Sequence, residues 1–194
     1  MLTSGTEAYE TGQSLITPVA SKPILPWDKP DTYDYFLGPS VFVSPVLAAN
    51  VTHHSVQLPK GEWVDWFNHT VYQGSILNYP VSLDVAPTTY PVFQRRGSMV
   101  VINPSRNLFL PTEQDSLHLQ LAAPRPGDEG HVAIRRYQQR SQEVFYSVSS
   151  DGKLSLKVTA HPRPLHLFIT GSAEGHQIHH DATNGTMVEI QLQT

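Results

Sequence analysis

Strict alternation of apolar and polar residues runs through the second half of the chain. It occurs at residues 117–121, 154–158, 165–167 and 188–192. A strand places successive side chains on opposite faces, so this pattern buries one face and leaves the other in water. One solvated face is typical of antiparallel sheets. The alternation therefore predicts antiparallel β-structure packed on a core.

Turn-forming residues separate the strands at short intervals. They cluster at residues 124–128, 149–152 and 183–185. Asp151-Gly152 predicts a two-residue hairpin loop between a strand at 144–148 and a strand that begins at Lys153. Further strand-like stretches lie at residues 41–43, 55–58, 63–67, 70–73 and 98–102. Many short strands with regular turn signals predict an all-β chain built of sandwiches.

The N-terminal segment follows a different pattern. Helix is expected only within the first dozen residues, with Gly12 at the position of a C-cap glycine. A buried strand at 15–19 and a proline-rich connection follow, and the continuous apolar run at 41–43 indicates a second buried strand. These elements do not belong to a sandwich. They predict the tail of a larger α/β unit.

Composition excludes several classes of function. The 194 residues carry a net charge of −4, which gives no basic surface for a nucleic acid. The chain has no cysteine, so disulfides, thiolate metal sites and thiol nucleophiles are excluded. No apolar run reaches the ~18–20 residues that span a membrane, and residues 1–7 lack the features of a signal peptide. We expect neither a nucleic-acid partner nor a membrane span.

Four segments resemble the motifs of one enzyme family. Residues 8–15 (AYETGQSL) resemble xxETGxPL, and residues 33–47 (YDYFLGPSVFVSPVL) resemble QFLGxxLLV-A/S-PVL. Residues 55–66 (SVQLPKGEWVDW) resemble VYLPxGxWYDF, and residues 90–98 (YPVFQRRGS) resemble IPVFxRxGS. These are motifs of glycoside hydrolase family 31, the α-glucosidase family. They follow the family order and together cover about residues 7–103.

The resemblance implies a place in a longer enzyme. Family members carry a (β/α)8 barrel followed by proximal and distal C-terminal β-sandwiches. Residues 1–47 would be the last helix and strand of the barrel, residues 48–112 the proximal sandwich and residues 113–194 the distal one. The fold expected is two antiparallel sandwiches after a short α/β remnant. A complete barrel needs ~250 residues, more than the 194 present.

The resemblance also implies that the chemistry lies outside the chain. A retaining α-glucosidase uses two carboxyl groups ~5–5.5 Å apart, and in this family both come from barrel strands upstream of these residues. We assign no catalytic residue, and we expect the chain alone to be inactive and to support a missing catalytic barrel, its main partner. The alternative is a stand-alone carbohydrate-binding or subunit-docking sandwich.

Two positions bear on activity. Trp63-Val64-Asp65-Trp66-Phe67-Asn68 superficially resembles the nucleophile motif WxDM-N/G-E, but the preceding Leu58-Pro59-Lys60-Gly61 assigns it to the sandwich motif. We expect Trp63, Trp66 and Phe67 to anchor a core, and Asp65 to face solvent or cap a turn. Many family members carry arginine where this chain has Thr17, and threonine cannot form a bidentate cationic fork.

Histidines give a weaker candidate site. His176, His179, His180 and Asp181 lie within six positions and could bind Zn or Ni, although an exposed polar strand or loop is the preferred interpretation. His53-His54 is expected in a solvated turn. The pairs Arg95-Arg96 and Arg135-Arg136 are expected as surface charges. We therefore assign no metal ligands and no cofactor.

Four aromatic residues are candidates for saccharide binding, and three sequons are candidates for glycosylation. Trp27, Tyr33, Tyr35 and Trp66 could stack on a saccharide, although a core role is preferred for aromatic residues. Sequons begin at Asn50, Asn68 and Asn184. They suggest a secretory route (endoplasmic reticulum, lysosome or outside the cell), and chance sequons that never meet the glycosylation machinery are the alternative.

Overall fold

The computed structural model describes residues 8–19, 33–75, 80–85, 90–103, 117–134, 142–159, 165–170, 177–180 and 187–191. In these ranges helix occurs only at residues 8–11. It ends at Gly12, which has a φ of +71° and whose N–H donates to the Ala8 carbonyl over 2.9 Å. The predicted C-cap glycine is confirmed. No helix within the described residues is long and apolar enough to cross a membrane.

Two compact units make up the chain. One comprises residues 14–96, and the other comprises residues 1–13 together with residues 97–194. Both are built of β-sheets, so the predicted all-β sandwich class is confirmed. The boundaries expected after residues 47 and 112 stay a prediction.

The unit at residues 14–96 contains eight strands in its described part. They are β1 (Ile16–Pro18), β2 (Tyr35–Leu37), β3 (Val41–Val43), β4 (His53–Val56), β5 (Gly61–Asp65), β6 (Val71–Gly74), β7 (Val81–Asp84) and β8 (Val92–Arg95). Six form one sheet in the order β1-β2-β3-β8-β5-β6, and β4 pairs with β7 in a second sheet. Every pairing between these strands is antiparallel.

Aromatic residues fill the core between these two sheets. Phe42, Trp63 and Phe93 come from the larger sheet, and Val56 and Leu83 come from the smaller one. The ring centroids of Phe42 and Trp63 are 5.8 Å apart. All three residues of β3 are buried, which confirms the strand predicted from the run at 41–43. Strand β1 differs from its prediction, because all three of its residues are exposed. Among the described strands, it lies at the edge of the sheet and pairs only with β2.

The other unit contains two four-stranded sheets in its described part. Its strands are β9 (Met99–Ile102), β10 (Leu117–Ala122), β11 (Glu129–Ile134), β12 (Gln142–Val148), β13 (Lys153–Val158), β14 (Leu165–Thr170), β15 (Gln177–His180) and β16 (Met187–Gln191). One sheet has the order β15-β14-β10-β9, and the other has the order β11-β12-β13-β16. All pairs are antiparallel except β10 with β14, which run parallel.

The core of this unit follows the alternation of its strands. Leu117, Leu119 and Leu121 of β10 are buried, as are Leu154, Leu156 and Val158 of β13. These side chains from the two sheets belong to one hydrophobic cluster. The alternation therefore located the core correctly.

The predicted hairpin between β12 and β13 is present, but its loop has three residues rather than two. The Ser149 N–H donates to the Lys153 carbonyl over 2.9 Å, and the Gly152 N–H donates to the Ser149 carbonyl over 3.0 Å. Residues 150–152 form the loop, and Gly152 has a φ of +81°. A turn followed by a glycine in the left-handed region forms a bulge that matches the twist of the strands.

Candidate functional site

Asp65 caps a turn. It lies at the end of β5 and is only 8% exposed. Its Oδ1 accepts hydrogen bonds from the Phe67 N–H at 2.8 Å and the Asn68 N–H at 3.0 Å. The expectation of a capping role is confirmed, and that of a solvent-facing carboxylate is wrong. The same oxygen satisfies two backbone donors, which is a structural use of a carboxylate.

The aromatic residues around Asp65 divide between core and surface. Trp63 is fully buried, and its Nε1–H donates to the Pro59 carbonyl over 2.8 Å. Phe67 is 53% exposed, so the expectation that it anchors a core is wrong. Trp66 lies between these extremes as a half-buried residue. The turn after β5 carries Phe67 away from the sheet, because strand alternation ends at Asp65.

Each arginine of the Arg95-Arg96 pair has a specific partner. The Arg95 guanidinium lies 5.0 Å from the centre of the Trp63 ring, directly across the β5–β8 pairing. The Nε of Arg96 lies 2.7 Å from Glu62 Oε2, and both side chains are largely shielded from water. Arg95 is exposed, as expected of a surface charge, whereas Arg96 is half-buried, so the surface expectation is wrong for Arg96. Arg135 and Arg136 lie outside the described residues.

Ser44, Asp34 and His54 form a hydrogen-bonded cluster that the sequence did not suggest. The Ser44 hydroxyl donates to Asp34 Oδ1 over 2.6 Å, and His54 Nε2 lies 2.9 Å from the same hydroxyl. A carboxylate only accepts hydrogen bonds, so the serine proton points at Asp34 and His54 must donate. His54 therefore cannot take the serine proton in this arrangement, which is not that of an activated nucleophile.

The two adjacent histidines also correct an expectation. His53 and His54 lie in strand β4 rather than in a turn. His53 Nδ1 lies 2.7 Å from Asp84 Oδ1 in a highly exposed pair across the β4–β7 ladder. The strand predicted at residues 55–58 therefore begins two residues earlier, at His53, where it still pairs with β7.

The histidine-rich segment near the C-terminus is only partly described. His176 and Asp181 lie outside the described residues, whereas His179 and His180 lie in β15. Within the described ranges, no group of three His, Asp or Glu side chains is placed to hold a metal ion. The zinc or nickel interpretation stays a hypothesis.

The aromatic residues suggested for saccharide stacking do not gather at one place. Tyr33 is 59% exposed and Tyr35 is half-buried in β2. Trp27 lies outside the described residues. Among those described, no ring contact joins Tyr33, Tyr35 and Trp66. Of the three sequon asparagines, Asn50 and Asn68 are exposed, and Asn184 lies outside the described ranges.

An open groove of about 640 Å³ lies on the solvent face of the β11-β12-β13-β16 sheet. We call it the outer-face groove. Its outward-facing lining residues are Glu129, His131, Phe145, Ser147, Ser155 and Lys157. The imidazole of His131 stacks on the ring of Phe145, with centroids 5.7 Å apart and ring planes inclined by 24°. The groove therefore combines a paired aromatic surface with several hydrogen-bonding groups.

Strand register arranges these side chains in two rows. His131 pairs with Phe145, which pairs with Lys157, and these three form the first row. Glu129 pairs with Ser147, which pairs with Ser155, and these three form the second row. Adjacent strands lie ~4.8 Å apart and outward residues on one strand ~7 Å apart. The six side chains thus occupy an area of about 10 Å by 7 Å.

Sequence reasoning missed this groove, although one signal was present. In β12 the buried residues are Val144, Tyr146 and Val148, which places Phe145 on the solvent face of the alternation. A large aromatic ring on the otherwise polar face of a strand departs from the alternation and indicates a candidate binding surface. Its partner His131 could not be found in this way, because the pairing depends on the β11–β12 register.

A histidine pair occupies the solvent side of the other sheet. His118 of β10 and His166 of β14 are paired in register, and their rings stack with centroids 5.4 Å apart. Burial lowers the pKa of His118, and the charge of His166 lowers that pKa further. Phe168 packs against the same imidazole at 4.7 Å. Both causes favour the neutral form of His118.

Comparison with known proteins extends the resemblance seen in the motifs. Residues 12–100 match the family model described as the glycosyl hydrolase family 31 C-terminal domain. Alpha-glucosidase 2 of Bacillus thermoamyloliquefaciens is 26% identical, with 95% of this chain and 23% of that protein aligned. An isomaltosyltransferase of Sporosarcina globispora is 32% identical over 73 residues, which cover 37% of this chain and 6% of that protein. The chain thus spans less than a quarter of the length of either curated relative.

Solved structures share the fold over nearly the whole chain. The GH31 alpha-xylosidase of Xanthomonas citri superposes with a TM-score of 0.67 at 15% identity, covering 98% of this chain and 23% of that one. The cycloalternan-forming enzyme of Listeria monocytogenes superposes with a TM-score of 0.66 at 19% identity, covering 98% and 21%. At these identities the likeness concerns the fold. The match assigns residues 12–100 to the glycosyl hydrolase family 31 C-terminal domain, and the fold of the chain resembles the C-terminal portion of that family's enzymes.

Proposed function

We propose that the chain supports the catalytic barrel of an α-glucosidase-like glycoside hydrolase without supplying a catalytic carboxylate itself. The match of residues 12–100 to the C-terminal domain of the family is the observation that carries this proposal. The relative aligned over 95% of this chain bears the name alpha-glucosidase, and most of that protein lies outside the aligned part. A barrel of ~250 residues would account for much of the difference.

Strand β1 and its neighbourhood offer the surface that such a barrel would cover. The strand lies at the edge of its sheet, and Ile16 is 51% exposed. Tyr33, two residues before the paired strand residue Tyr35, is also exposed, at 59%. An unpaired strand edge with apolar side chains usually requires a partner, because it exposes backbone hydrogen-bonding groups and apolar surface. We assign this edge to barrel contact.

The carboxylate that most resembles a family nucleophile supports the non-catalytic assignment. Asp65 is buried, and its Oδ1 already accepts two turn N–H groups. A glycosidase nucleophile must face the sugar with a second carboxyl group ~5–5.5 Å away. The capping role of Asp65 is incompatible with that position.

Complementation tests the proposal. Alpha-glucosidase 2 of Bacillus thermoamyloliquefaciens, shortened by the part that aligns with this chain, would be mixed with the purified chain. We expect the chain to raise hydrolysis of a nitrophenyl α-glucoside by the shortened enzyme and to hydrolyse none itself. The Ile16→Asp variant should raise activity less, because a charge on the edge strand opposes docking.

Three outcomes would contradict the proposal. Turnover by the chain alone, abolished by Asp65→Asn, would overturn the non-catalytic assignment. A shortened enzyme that gains nothing from the chain would overturn the support role. Equal gain from the native chain and from Ile16→Asp would show that β1 is not the docking edge.

A further inference from the structure

We propose that the outer-face groove binds a neutral oligosaccharide, with Phe145 as the ring against which a sugar packs. The choice of a saccharide as the ligand rests on the proposed role in a glycoside hydrolase. The location rests on the geometry of the β11-β12-β13 face alone. This non-catalytic sugar site would lie in the unit that is mostly outside the matched residues 12–100.

Phe145 and His131 form an aromatic surface in the groove. Phe145 is 41% exposed on a strand whose neighbouring residues, Val144 and Tyr146, are buried. His131 stacks on Phe145 and so restrains the orientation of the ring. A restrained aromatic ring presents apolar surface at little cost in conformational entropy, which suits the C–H face of a pyranose. The ring therefore provides a fixed platform.

The polar side chains around Phe145 supply hydrogen-bonding groups. Ser147 and Ser155 each carry a hydroxyl that both donates and accepts, Glu129 accepts, and Lys157 donates. A sugar that lay on Phe145 would have Lys157 about one strand spacing away and Ser147 about one outward row away. Glu129 and Ser155 lie on the two diagonals from Phe145, so an oligosaccharide spans all four groups. Alternating donors and acceptors beside an aromatic platform match the chemistry of a polyhydroxylated ring.

Charge balance selects a neutral ligand. The groove lining holds one carboxylate, Glu129, and one ammonium group, Lys157. Along the same sheet, Lys153 pairs with Glu189 in a salt bridge, and Glu143 adds a carboxylate on the outward face of β12. A phosphate-bearing or strongly acidic ligand would need an excess of cations, which these side chains do not provide. The shallow, open form suits an oligosaccharide that stays largely hydrated.

Titration of the purified chain with maltotriose and isomaltotriose tests the site. We expect binding in the millimolar range by calorimetry, with amide shifts in an NMR spectrum confined to β11, β12 and β13. The Phe145→Ala variant should bind about tenfold more weakly, because the platform ring is lost. Phe145→Tyr should retain binding, because it keeps the ring. Phe67→Ala removes a similarly exposed phenylalanine outside the groove and should leave affinity unchanged.

The outcomes separate this site from the barrel-support role. Absence of binding by both trisaccharides at millimolar concentration would overturn the proposal, and so would a Phe145→Ala variant that binds as well as the native chain. Equal losses in Phe145→Ala and Phe67→Ala would show that the effect is not specific to the groove. Phe145→Ala should still raise the activity of the shortened α-glucosidase, so failure of the sugar site and failure of the support role give different results.

Discussion

The carbonyl oxygen of Pro59 accepts the indole hydrogen bond of Trp63, and it lies 1.9 Å from where a Cβ on Gly74 would stand. Trp63 is fully buried, so its Nε1–H needs this acceptor. Because backbone rather than a flexible side chain occupies the space, glycine is required at position 74. The close approach fixes the distance between the loop at Pro59 and the end of β6.

We predict that Gly74→Ala lowers the free energy of unfolding by about 2–3 kcal/mol, because the backbone must move away from the new methyl group. Urea unfolding monitored by tryptophan fluorescence measures this directly. Val71→Ala, at the exposed start of the same strand, should cost less than about 1 kcal/mol. Equal midpoints for the two variants would contradict the prediction.

We predict that Asp65→Ala destabilises the chain by about 1–2 kcal/mol, since two turn N–H groups lose their acceptor. Asp65→Asn keeps an Oδ1 acceptor and should lose clearly less. Thermal unfolding of the three proteins provides the comparison. If Asn were as damaging as Ala, the negative charge rather than the hydrogen-bond geometry would be responsible.

Gly130→Ala should destabilise the unit that contains β11 by about 1–3 kcal/mol. A Cβ there would lie 2.7 Å from Cε1 of Tyr146, a buried ring whose hydroxyl donates to the Gly97 carbonyl. The ring is held at both ends and cannot move aside freely. In a Tyr146→Ala background the cost of Gly130→Ala should nearly vanish, and a double-mutant cycle of unfolding free energies measures this. An unchanged cost would exclude the Tyr146 clash as the cause.

The His118–His166 pair predicts a loss of stability in mild acid. Because the folded-state pKa of His118 is lowered, the unfolded chain binds this proton more readily than the folded chain. The contribution is fully present above the ordinary histidine pKa of about 6.5 and is lost as the pH falls from there through the folded-state pKa.

Melting temperatures between pH 7.5 and pH 5 should therefore decrease less in His118→Gln than in the native chain. His166→Gln should relieve only part of the loss, since burial of His118 remains its larger cause. His131→Gln removes a histidine from the other sheet and serves as the control. Identical pH profiles for the native chain and His118→Gln would contradict the assignment.

Strands with regular alternation were predictable from sequence because burial on one face leaves a period of two. The run at 154–158 became β13, and the run at 117–121 became β10. Strand β11 was missed, since its residues include Gly130 and do not alternate clearly. The parallel pairing of β10 with β14 could not be predicted either, because alternation is the same for both strand directions.

Predicting which side chains touch requires the register of the paired strands as well as the position of each strand. The stacking of His131 on Phe145 and the position of Arg95 over Trp63 both join residues from paired strands. A single sequence carries no record of which strands pair. The exposure of Phe67 was mispredicted because strand alternation was continued past Asp65, where the chain turns.

The parallel pair β10–β14 has a consequence for how this unit is made. All of β11, β12 and β13 lie between these two strands in the chain, so of the described strands β10 has only β9 as a neighbour until β14 has been synthesised. Contacts between residues far apart in sequence slow folding and leave strand edges open meanwhile. During translation, the apolar edge of β10 therefore stays unpaired while three further strands leave the ribosome. A chain truncated after β13 would keep that edge permanently, so the residues that follow Val158 protect this unit against aggregation.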